Sequence, residues 1–379
     1  MSPRDLFAEL KFRDPVRARS LAEAIRRNVE AIGRPVSVMH VCGSHEQAIA
    51  RFGLRAVLPE GLQLIMGPGC PVCVTDAPEV DQAVALAAQG VRVCTYGDMV
   101  RLPGTARSLA DAQADGGKVE IVYSVSQAVE LAQKHPSDQV VFLGSGFETT
   151  AVATAAIALT KVPENFSILS VHKYVPAAME VVAASPETHI EGYIAAGHAA
   201  TITGFGIFEP FARRTGSPVV VAGFEPLDIL AAIAKLTELM RERRPEVFNA
   251  YPRCVSREGN VPAQKTLWKV FRPVTGMWRG IAAVKDGNLD LREEWARLDA
   301  RRRFTIDTAG VRDDEAAEEA KGCICGAIML GLAVPTDCAL YGKHCLPESP
   351  VGACMVSSEG QCRIWHTYGG TPDLRNVGT

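Results

Sequence analysis

Residues 36–73 read VSVMHVCGSHEQAIARFGLRAVLPEGLQLIMGPGCPVC, and their pattern decides the architecture. Two apolar runs, Val36–Val41 and Leu62–Met66, each stop at a glycine-containing turn that carries cysteine. Near-continuous apolar runs suit strands buried on both faces, as in a parallel sheet. The unit of strand, turn and helix recurs to about residue 245. Further strands are expected at Val91–Tyr96, Val119–Tyr123, Val140–Leu143, Phe166–Val171, Gly192–Ala196 and Val219–Ala222. Helices are expected at Pro15–Ile32, Glu79–Gln89, Ser126–Lys134, Thr149–Thr160, Ala177–Ala184 and Leu227–Arg244. The last sets Leu227, Leu230, Ile233, Leu236 and Met240 along one apolar face. This alternation predicts an α/β protein of two Rossmann-like parallel-sheet lobes followed by an irregular C-terminal module. The expected divisions are 1–35, a helical segment packing on the body; 36–117, the first lobe; 118–245, the second lobe, with a seam near Gly116-Gly117; and 246–379, the C-terminal module.

The 379 residues are 47% hydrophobic and 22% charged, enough apolar material for a sizeable core. Forty Lys and Arg stand against 43 Asp and Glu, a net charge of −3 without a long single-sign block. That balance argues against nucleic acid or an anionic membrane as the main partner. The start is charged throughout and no apolar run is long enough to span a bilayer, so a cytoplasmic protein is expected. In a reducing compartment its eleven cysteines point to metal ligation or thiol chemistry rather than structural disulfides.

Ligand sites in open α/β sheets gather beyond the carboxyl ends of strands. Val41-Cys42-Gly43-Ser44-His45-Glu46 lies at such an end, and Cys42 and His45 could share a metal or a proton. The bland alternative is a buried structural cysteine beside a turn histidine. Gly67-Pro68-Gly69-Cys70-Pro71-Val72-Cys73 follows the next strand; a CxxC pair can close a disulfide, bind metal or exchange electrons. Cys323, Cys325, Cys338, Cys345, Cys354 and Cys362 crowd into one late stretch. Their spacings fit the close-set pairs of zinc modules poorly and suit an iron–sulfur cluster better, with two thiols to spare. Gly144-Ser145-Gly146-Phe147-Glu148-Thr149-Thr150 opens a helix, either as a plain cap or as an anion site. His172-Lys173, Gly197-His198, Asp98 and Cys94 also sit at strand ends, whereas Cys254 reads as structural.

VCGSHEQAIARFGLRAVLPEGLQLIMGPGCPVCVT, GFETT, HKYVPAAM, VVAGFEPLDIL, MWRGI and CICGAIMLGLAVPTDCALYGKHCLPESPVGACMVSSEGQC cover nearly the whole chain in order. Together they resemble the HypD family of NiFe-hydrogenase maturation proteins, the GPGCPVC and MVSSEG blocks most specifically. The resemblance implies two α/β lobes plus a 4Fe-4S domain, and assembly of the Fe(CN)2CO unit of the hydrogenase active site. It implies a HypC-like chaperone as partner, HypE with HypF as cyanide donor, and the hydrogenase large subunit served indirectly. Carried over by motif, Cys42 is the iron ligand, with His45 beside it for proton handling. Cys70 and Cys73 become the thiol/disulfide relay, and Glu148 and His198 join the reacting groups. Cys325, Cys338, Cys345 and Cys362 become the cluster ligands, with Cys323 and Cys354 a redox pair beside them. The implied protein is a redox-active assembly scaffold rather than a conventional turnover enzyme. CGSHEQ departs from the CGTHT and CGGHTH forms of the family, and Gly197-His198-Ala199-Ala200 departs from GHVS; both keep the histidine and alter its neighbours. The residues alone leave open an iron–sulfur thiol/disulfide reductase acting on a partner protein, and a zinc-stabilised interaction module.

Overall fold

A computed structural model describes residues 14–309 and 322–370. The expected terminal segment and C-terminal module therefore lie outside the described residues at 1–13, 310–321 and 371–379. The strands are β1 (Val36–His40), β2 (Leu62–Met66), β3 (Arg92–Thr95), β4 (Val119–Ile121), β5 (Val140–Gly144), β6 (Phe166–Ser170), β7 (Gly192–Ala196) and β8 (Val219–Ala222). They match the expected runs within two residues at each end, and β9 (Val247–Asn249), β10 (Phe271–Trp278) and β11 (Ala282–Leu291) follow. The eight expected strands pair in parallel, and β5, β6 and β7 are buried along their full length, as sheets covered on both faces require.

Sheet order differs from chain order. One sheet runs β2-β1-β7-β8-β9 and the other β4-β3-β5-β6. The chain starts the first sheet, builds the whole second sheet, then returns to finish the first. Gly116-Gly117 is therefore not a seam: it lies between β3 and β4, which pair with Val93 opposite Val119. The physical reason is that both sheets use the same buried apolar runs, so the strands alone carry no mark of their neighbours.

Local chemistry fixes the helices. Asp14 caps Pro15–Ile32 by accepting from Val16 N at 2.8 Å, and Gly33, at φ 74°, ends it. This helix lies against Pro226–Arg241, which packs on the first sheet, and Asn28 Nδ2 donates to Thr237 Oγ1 at 3.2 Å while Arg241 Nη1 donates to Asn28 Oδ1 at 2.8 Å. Asp76 and Glu79 form a capping box at the start of Ala77–Ala88.

The stretch after 246 is more regular than expected. Helix Val261–Val270 leads into the antiparallel ribbon β10–β11, whose Phe271, Leu289 and Leu291 fill the second lobe's core beside Phe142 and Phe166. Pro273 is tolerated because this is a two-stranded ribbon. The ribbon's far end carries Trp278 into an apolar cluster that also holds Cys70, Cys73, Cys325, Cys345, Cys354 and Cys362.

Candidate functional site

Helix Gly43–Arg51 starts directly after β1 and makes Cys42 its first flanking residue. Three chain segments meet there in backbone contact. A Cβ on Gly69 would lie 2.1 Å from the Val41 carbonyl carbon, and one on Gly43 would lie 2.4 Å from the Glu359 carbonyl oxygen. Only glycine permits these approaches. Gly43 N donates to Gly69 O at 3.3 Å, and Ser44 Oγ donates to Glu359 Oε1 at 3.1 Å. From just beyond β3 of the second sheet, Asp98 Oδ2 accepts from Ser358 N at 3.1 Å and from the hydroxyls of Ser357 and Ser358 at 3.2 Å. Burial pushes the Cys42 thiol up to about 12, and the Glu359 charge adds to that. The amides of His45 and Ser44 pull the other way. Burial also raises Glu359.

His45 is fully buried, with Nε2 3.3 Å from Ala222 O and Nδ1 without a partner. Its ring stacks on Phe224 at 4.7 Å between centroids, and the exposed His198 stacks on Phe224 at 3.6 Å. Burial, then repulsion from His40 and His198, pushes His45 down to about 3, so it is neutral at physiological pH. At the start of the helix after β5, Glu148 Oε1 accepts from Val175 N at 2.9 Å while Oε2 is unpartnered. Burial raises this carboxyl to about 7.

Glu46 is the site residue that the sequence did not assign. It is fully buried, yet Arg55 grips it with two bonds of 2.8 Å, His40 Nε2 lies 2.8 Å away and Trp365 Nε1 donates at 2.6 Å. Burial would raise its carboxyl, but Arg55 and His40 outweigh that and hold it near 2. The unusual acid of CGSHEQ thus joins the Cys42 helix to helix Gln361–Tyr368, which carries Cys362. A buried partner for it in Arg55 and Trp365 was not readable from spacing.

Cys70 and Cys73 are joined as a disulfide, and each is about 1% exposed. Met66, Cys70, Cys73, Met329, Cys354 and Gln361 line one narrow cavity, so a C-terminal cysteine shares a wall with the disulfide. Cys323 and Cys325 sulfurs are 3.2 Å apart, and a Cβ on Gly352 would fall 2.5 and 2.6 Å from them. The thiols of Cys325, Cys354 and Cys362 hydrogen-bond with one another; these bonds pull Cys362 down to about 6 and push Cys354 up. Val351 N donates to Cys345 Sγ at 3.3 Å, whereas Cys338 Sγ faces Gly322 O at 3.9 Å. This soft, thiol-only donor set around a glycine cradle fits iron–sulfur ligation by its chemistry. Among the described residues, no three His, Cys, Asp or Glu side chains are grouped so as to hold a metal ion, so the fit is one of donor type and not of geometry. Cys94 is buried in β3; Cys254, expected to be structural, is exposed.

Among the described residues no helix is long and apolar enough to cross a membrane. The fold and site define a class: a two-sheet α/β protein in which a strand-end thiol, a CxxC disulfide and a C-terminal thiol group converge. A family profile described as HypD: Hydrogenase formation hypA family matches residues 16–369. The chain is 41% identical over 381 residues to the hydrogenase maturation factor HypD of Cupriavidus necator, covering 96% of this chain and 99% of that one. It is 41% identical over 370 residues to HypD of Azotobacter vinelandii, covering 95% and 96%, and 38% identical over 369 residues to that of Rhodobacter capsulatus, covering 95% and 97%. The chain belongs to the HypD family of hydrogenase maturation factors.

Proposed function

We propose that this chain is a cytoplasmic scaffold on which, together with a HypC-like chaperone, the Fe(CN)2CO unit of NiFe hydrogenase is assembled, with cyanide arriving from HypE and HypF. The observation that carries the reading is the convergence of three segments: the GPGC and SSEG loops both touch the backbone at Cys42, and Cys354 lines the cavity of the Cys70–Cys73 disulfide.

Iron is the cargo, and Cys42 holds it. A thiolate donor suits low-spin iron carrying strong-field ligands. The buried thiol must lose its proton to do so, and the helix-start amides of Ser44 and His45 favour the anion. His45 is held neutral by burial, so in this reading its unpartnered Nδ1 acts as a hydrogen-bond acceptor in the site rather than as the base that takes that proton.

Cyanide carried as a protein-bound thiocyanate needs two electrons for release. The Cys70/Cys73 dithiol supplies them by closing to the disulfide: R–SCN and two thiols give R–SH, CN⁻, one disulfide and one H⁺. In this reading Cys354, which lines the same cavity as the disulfide, reopens it, with Cys323 as its partner in the redox pair. In this reading Cys325, Cys338, Cys345 and Cys362 hold a 4Fe-4S cluster, which supplies single electrons when bound.

The test is infrared spectroscopy of the chain purified anaerobically with its HypC-like partner. Bands of iron-bound cyanide and CO are expected, lost in Cys42→Ala. Their absence from a sample proven to contain cluster and partner would instead favour a thiol/disulfide reductase acting on a partner protein.

A further inference from the structure

Two hollows meet at the side chain of Gln361. One is a groove of about 500 Å³ between β2, at the edge of its sheet, and residues 331–334, where Leu332 and Val334 are 39% and 37% exposed. The other is the narrow cavity at the Cys70–Cys73 disulfide, about 10 Å³, the room that one water-sized molecule needs. Their walls run on from one to the other. Ile65 lines the groove and Met66, next along β2, lines the cavity; Gly331 lines the groove and Met329, two residues before it, lines the cavity. A Cβ on Gly331 would lie 2.6 Å from Ile65 Cγ2, so these two walls touch. Gln361 lines both hollows.

The Gln361 amide has nothing to hold it. The residue is 5% exposed, and its side chain makes no hydrogen bond among the described residues. Burying an amide without partners is costly, so such a group calls for a ligand or a task. Its backbone, in contrast, is fixed. The preceding Gly360 lies against the Cys354 backbone, where a Cβ would fall 2.2 Å from Cys354 O. A rigid stem therefore carries an unbonded side chain at the neck between groove and cavity.

We propose that the groove is a binding site for a low-molecular-weight thiol, and that Gln361 gates the sulfur of that thiol through to the Cys70–Cys73 disulfide. The groove has the size of a small-molecule site, and it sets apolar Leu332 and Val334 beside polar Gln63 and Asp337. Cys70 and Cys73 are each about 1% exposed, so a thiol mounted on a folded protein has no approach, whereas a small one admitted past Gln361 does. Reduction runs in two exchanges. The small thiolate attacks one sulfur of the pair, the Cys70–Cys73 bond breaks, and the other sulfur leaves as thiolate and takes a proton. A second small thiol then displaces the first, giving two protein thiols and one small-molecule disulfide. This route is separate from reopening by Cys354 and does not rest on the assembly reading.

The test is the rate at which the full chain, with no electron donor added, loses this disulfide to 2-mercaptoethanol and, separately, to the protein dithiol thioredoxin. Acid quench, alkylation and peptide mass read the rate, and each value is divided by that of a short peptide carrying the same disulfide. 2-Mercaptoethanol is expected to keep a share of its peptide rate about tenfold or more above the share that thioredoxin keeps. Gln361→Ala removes the gate and is expected to raise the 2-mercaptoethanol rate about fivefold or more, and Leu332→Trp, which fills the exposed groove wall, to lower it by a similar factor. Unchanged rates in both variants would overturn the proposal. Equal shares for the two reductants, or rates that merely follow each variant's thermal midpoint, would also overturn it, since either means that the disulfide reacts through opening of the fold. Should Gln361→Ala fail to fold, Leu332→Trp decides alone.

Discussion

Two glutamates occupy matching places in the two sheets and behave in opposite ways. Glu46 lies in the first turn of the helix after β1, and Glu148 in the first turn of the helix after β5; both are fully buried. Arg55, His40 and Trp365 surround Glu46 and hold its carboxyl near 2. Glu148 has one described bond, from Val175 N, and burial lifts it to about 7. The comparison teaches that burial alone does not set a carboxyl's state. The partner set makes one a permanent anion that fastens elements together, and leaves the other able to exchange a proton near neutrality.

Breaking the first side of this comparison should give the largest effect. Glu46→Ala strands Arg55 and His40 in a buried region and is expected to cost about 3–5 kcal/mol in urea unfolding. Trp365→Phe keeps the aromatic bulk but removes the indole donor, an expected loss of about 1.5–3 kcal/mol. If the two effects simply add in the double variant, Glu46 and Trp365 are not coupled and the latch between their helices fails.

The second side is sharpened by pH. Glu46 is depressed from its ordinary value of 4.5, so its contribution is present above that value and lost as pH falls through about 2. Glu148 is raised from the same ordinary value, so its contribution is present below 4.5 and lost as pH rises through about 7. Glu148→Gln should therefore change stability by less than about 1 kcal/mol at pH 5 and flatten the decline between pH 4.5 and 7. An unchanged decline in that variant would assign it to another group.

Legibility followed the range of the interactions involved. Runs such as Gly192–Ala196 and Val219–Ala222 matched strands without adjustment, because a strand buried on both faces must be apolar throughout. Val247–Asn249 was missed because it is short and partly exposed at a sheet edge. The ribbon β10–β11 was missed because exposed positions interrupt its apolar ones and Pro273 sits within it. The cysteines declared themselves by residue type. Glu359 against Ser44, and Gln361 between groove and cavity, did not, since neither has a short-range signal.

By itself the sequence determined the α/β alternation, the positions of the thiols and the family, because burial pattern and residue chemistry are local properties. Only the tertiary structure decided that the second sheet is inserted into the first. It also decided that Cys354 shares a cavity with Cys70 and Cys73, and that Glu46 meets Trp365 across 319 residues. The physical reason is that strand pairing and buried charge compensation depend on which distant groups arrive at the same place, and neighbouring residues in the chain carry no record of that.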